Sequence, residues 1–197
     1  MLVEKVGFHH ISTGDLFRNA MKNRTPLGVK AKGYVDAGQL VPDKVTIGLV
    51  EEVLLKDPLK NYIFDGFPRT EAQADALEQL VNTSGAQGIK KAVFLEVPRD
   101  VLKGRLTGRR LCKSCGAVYH LEANPTRVDG VCDACEGQLY QRKDDGDGVI
   151  STRLEAYDES TAPLKEYYQG KGLFKEVSGL GSQDEVFNRI QGELGLD

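Results

Sequence analysis

An α/β fold with a parallel sheet flanked by helices is predicted from three observations. Short apolar runs of strand length recur along the chain. Helical patterns fill the intervals between them. One cysteine-bearing stretch breaks this alternation and stands apart as an insertion.

The apolar runs are His9-His10-Ile11, Tyr62-Ile63-Phe64, Ala92 to Val97 and Leu173 to Val177. The last three read as strands buried in a parallel sheet, where near-continuous apolar sequence is the rule. Helical periodicity covers 14–23, 28–37, 43–56, 70–82, 98–107, 151–170 and 183–194. Residues 108–150 interrupt the pattern with all four cysteines and six of the 22 glycines. A segment so poor in core residues needs a device of its own to hold it closed. Residues 12–41, between the first short strand and the helix from Asp43, form a second candidate insertion.

The 197 residues are 40% apolar and 28% charged, an ordinary globular composition. No stretch approaches the apolar length of a membrane span. Met1-Leu2-Val3-Glu4-Lys5 lacks the apolar run of a secretory signal, so a cytoplasmic chain is expected. The net charge of −3 argues against a protein that lives on nucleic-acid backbone, which carries a basic excess.

Cys112 and Cys115 form one CxxC pair, Cys132 and Cys135 another, sixteen residues further on. This spacing fits a tetrahedral structural zinc with four thiolate ligands; iron is the other candidate ion. Paired disulfides are disfavoured in a chain without a signal peptide. Four thiolates leave no position for water, so the ion holds the insertion and does no chemistry.

Asp65-Gly66-Phe67-Pro68-Arg69 follows a buried strand, and ligands of open parallel sheets bind beyond the carboxyl ends of strands. Asp65 can there hold magnesium through water, and Arg69 can reach a phosphate. Ser12-Thr13-Gly14-Asp15 offers a capped helix start whose free amides suit an anion, with Arg18 one turn on. Arg105, Arg109 and Arg110 close the helix from Pro98, and Arg142 and Arg153 bracket the far end of the insertion. Arginines on both sides of a closing lid are what phosphoryl transfer requires, because it asks for positive charge around the moving group and little covalent help. His9, His10 and His120 show no metal spacing, and Gly170-Lys171-Gly172 reads as a helix stop.

These motifs, in this order, resemble the adenylate kinases of the long-lid bacterial type. The resemblance runs over essentially the whole chain and includes Gly38 to Asp43, Asp65 to Thr70, Gly108-Arg109-Arg110, the four-cysteine segment, Tyr140 to Asp145, Arg153-Leu154 and Gly179 to Ser182. It implies a nucleoside-monophosphate-kinase core over 1–11, 42–107 and 146–197, an AMP-binding insertion over 12–41 and a zinc lid over 108–145. It also implies a monomer acting on ATP, AMP and ADP with magnesium. Thr13, Arg18, Gln39, Leu40, Val41, Gly66, Phe67, Pro68, Arg69 and Gln73 would then bind AMP, Gln73 reading the adenine edge through its amide. Arg109, Val118, Tyr119 and Gly181 would contact ATP. Arg142 and Arg153 would bridge toward both nucleotides, and Asp65 would help position magnesium.

In that family a strand, a glycine-rich loop ending in Gly-Lys and most of a helix precede the segment matching Leu2 to Phe8. The chain is expected to start inside that helix, so that the first central strand and phosphate loop are missing, either because Met1 is a misassigned start or by truncation. No GxxxxGK[ST] stretch occurs elsewhere in it. Three alternatives follow: a kinase for another nucleoside monophosphate, a non-catalytic nucleotide-binding remnant, and a zinc-ribbon nucleic-acid binder, which the acidic balance disfavours.

The cysteine spacing predicts one tightly held thiophilic ion per chain. Metal analysis of freshly purified protein should return one equivalent. Chelation should loosen the insertion and leave AMP affinity nearly intact.

Overall fold

The computed structural model describes residues 2–56, 61–85 and 88–196, without the side chains of Glu4 and Lys5; Met1, on which the question of the start turns, lies outside them. A short helix α1 (Leu2–Val6) leads into strand β1 (His9–Ser12). Helices α2 (Thr13–Lys22), α3 (Pro26–Asp36) and α4 (Asp43–Lys56) follow. Then come β2 (Tyr62–Asp65), α5 (Glu71–Thr83), β3 (Ala92–Glu96) and α6 (Arg99–Thr107). Three short strands, β4 (Arg109–Cys112), β5 (Val118–His120) and β6 (Leu139–Tyr140), form the cysteine segment. The chain ends through α7 (Asp147–Ala156), α8 (Leu164–Gly170), β7 (Phe174–Ser178) and α9 (Gln183–Leu194).

Local chemistry sets most of these boundaries. Ser12, Thr25, Thr70 and Ser182 cap α2, α3, α5 and α9 with their hydroxyls, each satisfying an amide that the first turn leaves free. Gly195, at φ 64°, ends α9 in the left-handed conformation. Two sequence expectations need correction. The helix foreseen over 151–170 is two helices joined by a π-turn at Tyr157–Thr161; periodicity does not register one inserted residue per turn. Arg109 and Arg110 stand not in the last turn of α6 but in β4.

The core strands are parallel, in two pairs: β1 with β2, and β3 with β7. Among the described residues no ladder joins one pair to the other. The β1–β2 pair packs on Val50 and Leu54 of α4 and on Leu77 and Val81 of α5. The β3–β7 pair packs on Leu164 and Tyr168 of α8 and on Ala74 of α5. Helix α5 therefore presents one face to each pair. The three strands of the cysteine segment form a separate antiparallel sheet, ordered β5-β4-β6. Among the described residues no helix is long and apolar enough to cross a membrane.

Helices α2 and α3 form a hairpin arm with its own small core of Phe17, Ala31 and Val41. Gly28 is the contact point. A Cβ there would lie 2.1 Å from the Ala20 carbonyl oxygen, against backbone that cannot move aside. Gly28→Ala should therefore push the two helices apart and destabilise the protein by about 1–3 kcal/mol, the usual cost of overpacking. A thermal melt of the variant beside the parent checks this.

Candidate functional site

The turn after β2 is held by side chains at the Gly66 carbonyl and at the amide and carbonyl of Arg69. Gly66 takes φ 67°, and the Phe67–Pro68 bond is cis. The Arg69 side chain folds back so that its Nε donates to the Gly66 carbonyl at 2.8 Å. A Cβ on Gly66 would stand 2.7 Å from the Arg69 guanidinium, so glycine makes room for that charge. The Arg69 amide donates to Gln73 Oε1 at 2.8 Å, and Thr161 Oγ1 donates to the Arg69 carbonyl at 3.0 Å. Thr161 is the last residue of the π-turn.

Thr13, only 3% exposed, donates its hydroxyl to the same Gly66 carbonyl at 2.9 Å. It thereby docks the start of α2 on the turn. Arg18 pairs with Asp15 at 2.5 Å and lies over Gly14, where a Cβ would be 2.9 Å from the guanidinium. The Gly38-Gln39-Leu40-Val41 strip runs beside α7: a Cβ on Gly38 would meet Val149 at 2.6 Å and Arg153 at 2.8 Å. Gln39 donates its amide to Tyr34, and the Val41 carbonyl accepts from Thr46.

Gln73 is 2% exposed, and both ends of its amide are used within the protein. Its oxygen accepts from Arg69, as above, and its nitrogen donates to Asp43 Oδ1 at 2.7 Å. Asp65 is mostly exposed at the end of β2, with His10 Nε2 at 3.3 Å.

At the root of the insertion, Asp145 is fully buried. Arg109 grips it with two bonds, of 2.8 and 2.5 Å, and Arg153 adds a third at 3.0 Å. Arg153 also reaches the carboxylate and the carbonyl of Asp144. Arg142 stands beside this group with a buried Nε that has no hydrogen-bond partner among the described residues. Burial above all lowers the pKa of Arg142, and Arg18 and Arg109 press it the same way. Arg69 is lowered by its burial too, and next by Arg153. The guanidinium groups of Arg18, Arg109 and Arg153 lie close to these two. They feel one another, and the acids close to them only partly offset the positive potential. Such a place attracts a polyanion.

The four cysteine sulfurs lie within 4.8 Å of one another, the Cys112–Cys135 and Cys115–Cys132 pairs at 3.4 and 3.6 Å. Thiolates on a tetrahedral ion at about 2.3 Å would be just under 4 Å apart, so this cluster fits one metal. The two knuckles are built alike. In each, the fourth residue after the first cysteine donates its amide back to that cysteine's carbonyl and takes a positive φ: Gly116 in one, Glu136 in the other. Tyr119 faces Cys132 across 3.4 Å and accepts the Asp133 amide. The Tyr119 hydroxyl is the main reason the Cys132 thiol is lowered, while the neighbouring sulfurs push Cys135 up, as four thiols crowded together without a shared cation must behave. His120 fixes the base of β5: its Nδ1 accepts the amides of Glu122 and Ala123, leaving Nε2–H to donate to the Gly104 carbonyl.

The sequence-predicted residues thus fall into two groups. Thr13, Gly66 to Arg69 and Gln73 come together directly, while Arg18, Arg109, Arg142 and Arg153 converge with Arg69 through their charges. Of the residues foreseen for ATP, Arg109 joins the arginine group, and the other three lie in two places, β5 and the loop after β7. Val118 is exposed, Tyr119 turns toward the metal cluster, and Gly181 lies in the loop after β7, at φ 99°. Among the described residues no hydrogen bond joins Gly181 to β5. Sequence reasoning missed the positioning parts: Asp43, Thr161, and Asp145 as the shared anchor. It also missed that Arg105 holds the Gly179 carbonyl at 2.8 Å, beside Gly181. Asp43 and Asp145 carried a signal, each closing a string within the resemblance, Gly38 to Asp43 and Tyr140 to Asp145.

The family model described as adenylate kinase matches residues 1–173. The adenylate kinase of Carboxydothermus hydrogenoformans is 50% identical over 194 residues, covering 98% of this chain and 90% of that protein. One from Clostridium botulinum is 48% identical over 202 aligned positions, covering 100% and 91%. One from a Geobacillus species is 49% identical over 195, covering 98% and 90%. With a glycine-backed arginine turn after β2, a buried carboxylate gripped by two arginines, and this likeness along its length, the chain belongs to the adenylate kinase family.

Proposed function

We propose that this chain transfers a phosphoryl group reversibly between ATP and AMP, as a cytoplasmic monomer. The observation that carries this is the cluster of Arg18, Arg69, Arg109, Arg142 and Arg153, in which Arg142 keeps a buried, unpartnered Nε. The α2–α3 arm and the Gly66–Gln73 turn take AMP. The segment 108–145 closes over ATP and brings Arg109 and Arg142 to the phosphates. An AMP phosphate oxygen attacks the γ-phosphorus in line, and the ADP oxygen leaves with the electron pair. The guanidinium groups stabilise the charge on the transferring group. Magnesium, arriving with ATP, neutralises the donor phosphates, and Asp65 would meet its water shell. A zinc ion on Cys112, Cys115, Cys132 and Cys135 would hold the lid in shape. The lid's three short strands bury little else that could.

A second reading has its own observation behind it. Among the described residues the two parallel strand pairs are not laddered together. On that reading the chain binds AMP without turnover.

One comparison separates the two. The 197-residue chain and a version preceded by a strand–GxxGxGKG–helix segment are assayed for ADP formation from ATP and AMP, with melting curves for both. The shorter protein should be slower by well over about tenfold, since losing a single preorganised donor costs about 10²–10³ in rate. Turnover within tenfold, with a cooperative melt, would mean that other residues hold the donor phosphates.

Gln73→Ala in the active version should weaken AMP use by about 1–3 kcal/mol, the cost of leaving the base's polar edge unpaired. Unchanged kcat/KM for AMP would remove Gln73 from the base site.

A further inference from the structure

We infer that Asp43 is a specificity-determining positioning residue: it locks the Gln73 amide in the one orientation that accepts a 6-amino purine and refuses a 6-oxo purine. This rests on the proposal that Gln73 meets the base of the acceptor nucleotide.

A carboxamide can present its two ends in either order, and the energy of the choice comes from its neighbours. Here both neighbours vote the same way. The Arg69 backbone amide can only donate, so it demands the oxygen of Gln73, at 2.8 Å. The Asp43 carboxylate can only accept, so it demands the nitrogen, at 2.7 Å. Turning the amide over would set N–H against N–H and carbonyl against carboxylate. Because Gln73 is almost wholly buried, water cannot relieve either clash.

Each of these bonds uses half of what the amide offers. One lone pair on Oε1 and one hydrogen on Nε2 remain. The pair left over accepts from a purine 6-amino group and donates to N1. Inosine 5′-monophosphate reverses both features, with an oxygen at position 6 and a hydrogen on N1. It meets the locked amide acceptor to acceptor and donor to donor. Discrimination of this kind is large because the mismatched groups are buried unpaired. Asp43 can do this because it sits in the first turn of α4, which the buried Thr46, Val50 and Leu54 fix against the rest of the protein.

The test measures the dissociation constants of AMP and inosine 5′-monophosphate by calorimetry, on the full 197-residue chain and three variants at position 43. Asp43→Ala removes the acceptor. Asp43→Ser keeps a helix-starting side chain but is too short to reach Gln73. Asp43→Asn keeps an acceptor oxygen. The ratio of the two constants is read, which a loss of folded protein does not move. It should fall at least about tenfold in the Ala and Ser variants, the size expected for one buried polar mismatch, and stay near the parent value in the Asn variant. A ratio unchanged in the Ala variant, or restored by Ser, overturns the assignment and leaves Asp43 a helix-start residue. Gln73→Ala, run alongside, tells the two levels apart. If AMP affinity survives it, the base-reading proposal fails and this one with it. If AMP affinity drops while the Asp43 variants keep their ratio, only the lock is wrong.

Discussion

A carboxylate shut away from water needs its charge met on every side, and Asp145 meets this demand with Arg109 and Arg153. Those two residues sit at opposite ends of the cysteine segment, one opening β4 and the other on α7 beyond its return. The burial of one acid therefore ties the segment's entry and exit together and orients two arginines at once. Losing both partners would leave a buried charge unpaired, a cost of about 3–5 kcal/mol, and losing Arg109 alone would remove two of its three arginine bonds. The third arginine of the group, Arg142, has no such partner for its Nε. The site is thus made of two satisfied guanidinium groups that fix geometry and one unsatisfied group that invites a ligand.

Much of the core was legible in the sequence because its signals are local. Tyr62-Ile63-Phe64 and Ala92 to Glu96 are apolar runs of strand length, and the hydroxyl caps at Thr70 and Ser182 mark where helices begin. The CxxC pairs announced a metal-sized cluster for a similar reason, since two residues between thiols leave few shapes for the turn. The π-turn at Tyr157–Thr161 left no local trace. The contact it makes is distant: the Thr161 hydroxyl reaches the Arg69 carbonyl, 92 positions earlier.

The same contrast runs through the site. Arg69 and Thr13 could be singled out because each follows a strand, and strand ends are where ligands gather. Asp43 could not on that ground, because a carboxylate in the first turn of a helix has an ordinary explanation in the helix dipole. Only the fold brings it to Gln73, thirty positions away. Tyr119 was singled out for a nucleotide, and its hydroxyl also supports a cysteine, which the sequence did not announce. Alternation along β5 set which side of the small sheet it takes, and that depends on the register with β4.

Helix α5 is the common wall of two otherwise separate strand pairs, giving Leu77 and Val81 to one and Ala74 to the other. Neither half can come apart without stripping apolar cover from the helix that the other half uses. Opening one pair would therefore expose a helix that also covers the other, which couples the two halves. The turn carrying Arg69 leads directly into this helix, through the Thr70 cap. Whatever loosens either pair is thus felt at that arginine, whereas the cysteine segment has a sheet of its own.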